Sequence, residues 1–198
     1  MNRRCVLATT VAIVAIALNP GCSSDDVKAP RVTLNADVNL GTHPSTECPD
    51  SANGWLKIGS FGNPSLLGPD GSQVDPGQPV DDGAQFDHGT ASVNCAVTAQ
   101  SNGFSVAASA SLTGANGGSF VVRGFFVPGQ DNAGIKASVT HNGMTYGQDD
   151  CIARFTTAYE GVDAGRVWAE VTCPNAEAPS LQRTCQTITK FRFENCNQ

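Results

Sequence analysis

Apolar and polar residues alternate with period two along several stretches of this chain, the pattern of a strand with one buried face. In Val93–Ala99, the residues Val93, Cys95, Val97 and Ala99 share one face, and Asn94, Ala96 and Thr98 the other. Phe104, Val106, Ala108, Ala110 and Leu112 alternate with Ser105, Ala107, Ser109 and Ser111. Between these runs, Gln100-Ser101-Asn102-Gly103 predicts a hairpin turn. A third run, Phe120–Val127, follows the Gly-rich stretch Gly114–Gly118. Setting Leu112 opposite Phe120 puts Ala110 against Val122 and Val106 against Phe126, all on one face. A three-stranded meander is expected, with its Ser/Ala-rich reverse face solvated.

Ile135, Ala137 and Val139 alternate with Lys136, Ser138 and Thr140, and Asn142-Gly143 then supplies two residues suited to a tight turn. With Arg31–Val38, Trp55–Phe61, Cys151–Thr157, Arg166–Cys173 and Thr187–Phe193, the expectation is an all-β fold of about nine strands, an antiparallel β-sandwich or barrel. Two stretches do not read as strands. Ser23–Pro30 is a short tether. Gly62–Gly89 holds six Gly, four Pro and five Asp with no Lys or Arg, and predicts a long mobile loop.

Composition narrows the function classes. Only 15% of residues are charged, and the net charge of −6 becomes −8 once Arg3 and Arg4 are removed with a leader. Twelve basic residues spread along the chain form no phosphate-tracking stripe, which argues against nucleic acid as a partner.

The N-terminus reads as an export signal: Arg3 and Arg4, an apolar run from Val6 to Leu18, then Asn19-Pro20-Gly21-Cys22. The run is shorter than the ~20 residues that span a bilayer. Gly21-Cys22, followed by the polar Ser23-Ser24-Asp25-Asp26, resembles the processing site of bacterial lipoproteins. That resemblance implies cleavage before Cys22, acylation of its thiol, and anchoring in the cell envelope. Ser23 after the cysteine implies outer-membrane sorting by the enterobacterial pattern. The chain departs from the family in having Asn19 where Leu is usual. Cleavage after Ala15-Ile16-Ala17 is the alternative, leaving Cys22 a plain thiol. The expected organisation is a signal at 1–21, an anchor and tether at 22–30, and one β domain at 31–198.

Of eight cysteines, Cys5 belongs to the leader and Cys22 is the candidate anchor, so six remain for the domain: Cys48, Cys95, Cys151, Cys173, Cys185 and Cys196. An even number in an exported chain predicts disulfides, and the absence of any CxxC pair argues against zinc. Folding the chain about Val162 sets Cys151 opposite Cys173, Ala153 opposite Val171 and Phe155 opposite Ala169. The same register sets Arg154 against Glu170 on the other face. A rival hairpin about the Pro174–Thr184 loop pairs Cys173 with Cys185, but it sets Arg166 against Arg192. If Cys151 bonds Cys173, the extended run between Cys185 and Cys196 holds those two apart. Cys48 and Cys95 then take one each.

Chemistry-bearing residues are few. Asp70, Asp75, Asp81, Asp82 and Asp87 are hard oxygen donors in a Gly-rich loop and are the weak candidates for calcium. Their spacing matches neither the EF-hand loop nor the repeat-in-toxin pattern, and no cofactor is expected otherwise. His43, His88 and His141 read as surface residues, since no nucleophile elbow accompanies them. Trp55, Trp168, Tyr146 and Tyr159 offer aromatic faces for sugars, but in a β domain they also read as core. The expectation is a non-catalytic, envelope-anchored domain binding a protein or glycan. The alternatives are a hydrolase of envelope or extracellular polymers, with Asp87 and Glu160 as acid and base, and a structural subunit of an envelope assembly.

Overall fold

The computed structural model describes residues 28–42, 47–49, 55–67 and 69–197. The expected leader, the expected anchor Cys22 and His43 lie outside these residues. The chain is almost wholly antiparallel β. Its strands are β1 (Arg31–Asn39), β2 (Leu56–Ile58), β3 (Asn63–Leu67), β4 (Gln73–Asp75), β5 (Val80–Asp81), β6 (Gln85–Phe86), β7 (Gly89–Gln100), β8 (Gly103–Leu112), β9 (Gly118–Phe126), β10 (Asn132–His141), β11 (Met144–Arg154), β12 (Gly161–Asp163), β13 (Arg166–Ala178) and β14 (Arg183–Glu194).

One sheet runs β2-β1-β14-β13-β11-β10-β9-β8-β7-β6, with β12 joined to β13 and β5 to β1. It rolls into a nearly closed barrel. Phe120 of β9 and Phe191 of β14, which are not sheet neighbours, meet inside with ring centroids 5.4 Å apart. Inward residues alternate with outward ones along every long strand. Val32, Leu34, Ala36 and Val38 of β1 join Val93, Cys95 and Val97 of β7 in a single apolar core. The seam is closed by the segment after β14. Asn197 pairs with Ala96 in parallel, and the Val97 N–H donates to the Asn197 carbonyl at 2.9 Å.

Three disulfides staple the barrel: Cys151–Cys173, Cys48–Cys185 and Cys95–Cys196. The expected register of β11 on β13 is present, with Ala153 opposite Val171 and Arg154 opposite Glu170. Two details differ. β11 stops at Arg154, and residues 155–160 leave the sheet before β12 resumes against β13, so Phe155 does not pair with Ala169. The Arg154 guanidinium goes to Asp131 instead, with Nε 2.9 Å from Oδ2. β13 and β14 do form the rival hairpin, but Cys173 falls opposite Thr187 and Cys185 opposite Ala176.

Other expectations shift as well. The meander is present, but Ala110 pairs with Phe120 and Leu112 with Gly118, two residues from the register expected. The tight turn Thr113–Gly117, closed by a Gly117 N–H to Gly114 carbonyl bond, starts β9 earlier. A slip of two keeps every side chain on its face. Trp55–Phe61 yields only the three-residue β2, because Gly59 takes a φ of +73° and ends it. Gly62–Gly89 is not one loop. It contains the β3–β4 hairpin, a sheet of its own, then β5 on β1 and β6 on β7. Among the described residues, eight strands of nine or more residues carry the barrel; of the short ones, β2, β5, β6 and β12 add to its sheet and β3 and β4 stand apart.

Candidate functional site

Most residues singled out by chemistry do not meet. Asp70 accepts from the Ser72 amide at 3.0 Å and the Ser72 hydroxyl at 2.6 Å. These bonds hold its carboxyl below the usual range, the side-chain bond contributing most. Asp82 accepts the Val93 N–H at 2.7 Å, and Asp87 accepts the Asn116 amide at 3.0 Å. Asp75 lies in β4 and Asp81 in β5. Among the described residues no three His, Cys, Asp or Glu side chains converge as metal ligands. The aspartates weighed as weak calcium candidates are spread over separate turns and strands.

Asp87 and Glu160 do not converge either. Asp87 sits before β7, at the barrel end where Leu112 pairs with Gly118. Glu160 precedes β12, at the end where β13 begins. The Glu160 side chain is fully buried, accepts from the Thr156 amide and hydroxyl, and lies 3.0 Å from Lys190 Nζ. Trp55, Tyr146 and Trp168 are buried, and only Tyr159 is exposed. The Trp168 ring is stacked on Phe61 at 5.9 Å, with the Arg192 guanidinium 5.0 Å from its centroid. His141 Nδ1–H donates to the Gly117 carbonyl (3.1 Å), and His88 is exposed in a turn.

A trough on the outer wall of β9, β10, β11 and β13 brings together residues that no sequence pattern joined. It encloses about 550 Å³ between Val121, Arg123, Lys136, Ser138, Gly147, Gln148, Asp149, Asn175 and Glu177. The pairings lay Val121, Ser138, Gly147 and Glu177 in one row across the four strands. Three local irregularities coincide here, each unfavourable by itself.

The first is Gly147. It stands inside a strand without positive φ, so no turn demands it, and glycine there costs about 0.5–1 kcal/mol relative to alanine. A Cβ at this position would sit 3.2 Å from the Ser138 Cβ, on the trough floor. Strand glycines mark places where something approaches the backbone closely.

The second is a split in the ladder. β11 and β13 pair at Gly147–Glu177 and again from Ile152–Thr172, but not between. β10–β11 and β13–β14 both shift register beside the gap. The Gln148 side chain spans it: Oε1 accepts the Asn175 N–H at 2.8 Å and Nε2 donates to the Asp150 carbonyl at 2.8 Å. Bulges of this kind re-aim side chains and gather beside functional sites.

The third is charge. Arg123 lies directly opposite Lys136, a like-charge cross-strand pair that is destabilising unless offset. Asp149 neutralises Lys136 at 2.9 Å. Arg123 and Glu177, at the two sides of the trough, make no ion pair among the described residues.

Sequence reasoning missed this trough because its residues come from four strands and point away from the core that sets the alternation. The one available signal was Gly147 itself, a glycine between Tyr146 and Gln148 with no turn partner beside it. No family model, no curated protein and no solved structure matches the chain.

Proposed function

We propose that the chain is an envelope lipoprotein, exported by residues 1–21 and held to the outer membrane through acylated Cys22, whose β domain is a non-catalytic binding module. The observation that carries the binding role is the trough, where a strand glycine, a split ladder and an unoffset cation coincide in one concavity. Proteins break local rules where function requires it. A volume of about 550 Å³ falls in the range of ligand sites.

The layout suits an anchored binder. The tether enters the domain at Arg31, level with Glu194 at the end of β14. It is pinned there by an Asn195 amide to Ala29 carbonyl bond of 2.9 Å. The row Gly147–Glu177 lies toward the opposite ends of β11 and β13, near Ala178–Arg183. A membrane at the tether end therefore leaves the trough open to the medium. Disulfides joining residues up to 137 positions apart fit an oxidising compartment.

Two measurements test the proposal. Cys22→Ala should move the full chain from the detergent phase to the aqueous phase; unchanged partitioning overturns the anchor. Envelope glycan and peptide fractions titrated into the isotope-labelled full chain should shift the amides of Val121, Ser138 and Gly147. Gly147→Val, which fills the floor, should abolish those shifts. Shifts confined to another surface, or fragments released from the polymer, overturn the binding reading.

A further inference from the structure

We infer that the trough takes a short zwitterionic peptide, with its carboxylate at Arg123 and its ammonium at Glu177; this rests on the binding role proposed above. The four charged side chains lining the trough are Arg123, Lys136, Asp149 and Glu177. Lys136 and Asp149 neutralise each other, which leaves one guanidinium and one carboxylate unspent. They stand on β9 and β13, three strand spacings apart across β10 and β11. The Arg123 row is two residues along from the row that ends in Glu177. At ~4.8 Å per strand and ~3.3 Å per residue the two α-carbons are on the order of 16 Å apart, shortened by the reach of both side chains. An extended peptide of about two to four residues bridges such a gap.

The walls between the charges fit the same ligand. Gln148 is held at the side of this space by its two hydrogen bonds. The Ser138 hydroxyl is a donor and acceptor on the floor, its Cβ set close to where a side chain at Gly147 would stand. Among the described residues no aromatic side chain lines the trough, so none of them offers a sugar ring a stacking face there.

The probe is tri-alanine, titrated into the labelled full chain as the free zwitterion, the N-acetyl form and the C-amide. The free form should shift the Ser138, Gly147 and Glu177 amides. Blocking either end should weaken binding by up to about fivefold, the scale of one exposed ion pair, and added salt should erase the difference. Arg123→Glu and Glu177→Arg should each weaken the free form, and the double exchange should recover it with the peptide reversed. Recovery also shows that the variants fold. Equal binding of all three forms overturns the zwitterion. Shifts at the same amides from a neutral oligosaccharide alone overturn it too, while sparing the binding role. No shift at the trough from any probe overturns both.

Discussion

Cys95 on β7 and Cys196 just after β14 are bonded across the seam of the barrel, 101 residues apart in sequence. Cys151 and Cys173 are only 22 apart and join strands already paired on either side of the bond. Loop-closure entropy grows with the enclosed length, giving about 4.7 kcal/mol for the longer loop and roughly 3 kcal/mol for the shorter. Removing Cys95–Cys196 by double alanine substitution should therefore cost more than removing Cys151–Cys173. Denaturant unfolding of the two variants checks this, and the reverse order would show that the seam is held chiefly by its other contacts.

Glu160 and Lys190 should respond unequally to mutation. The carboxylate is fully buried, whereas 31% of the lysine side chain is exposed. Lys190→Met strands a buried charge and should cost about 3–5 kcal/mol. Glu160→Gln leaves an ammonium that water can reach, still over the Phe61 ring at 5.5 Å, and should cost nearer 1–3 kcal/mol. Thermal and denaturant unfolding measure both.

The β3–β4 hairpin forms a two-stranded sheet separate from the barrel, and such units are marginal alone. Its amides should exchange fastest among the strands, with β8 and β14 slowest. Hydrogen exchange read by mass spectrometry decides it. Protection of β3–β4 that rises with added calcium would revive a metal role for Asp70 and Asp75.

Asp70 should titrate below the ordinary carboxylate range of about 3.9 because Ser72 bonds its ionised form. Its folded value is depressed, so the small stability it lends is present above the unfolded value and lost as pH falls through the folded one. Ser72→Ala removes the larger of the causes and should bring the titration back up. Carboxyl-detected NMR follows both.

What could be read from the chain was whatever burial imposes with period two. The faces of β7, β8 and β10, the Asn142-Gly143 turn and the Cys151–Cys173 pairing all follow from keeping apolar side chains inward. Registers differing by two residues satisfy the same constraint, so the choice of Phe120 or Val122 opposite Ala110 was open until the turn after Leu112 fixed it. The excursion at 155–160 was hidden for a related reason: Phe155 continues the alternation although a buried Glu160 draws its loop out of the sheet. The trough lay beyond reach because outer-face neighbours are set by the order of strands around the barrel, which no local pattern encodes.

The seam carries a consequence for biogenesis. β7 is made early, yet one of its edges is satisfied by Asn197, which follows every strand of the barrel. During vectorial synthesis or translocation that edge stays uncovered while about a hundred further residues emerge, the span enclosed by Cys95–Cys196. The barrel cannot be finished piecemeal from its first strands. Its closure is a late event, because the pairing that completes this edge waits for Cys196 and Asn197.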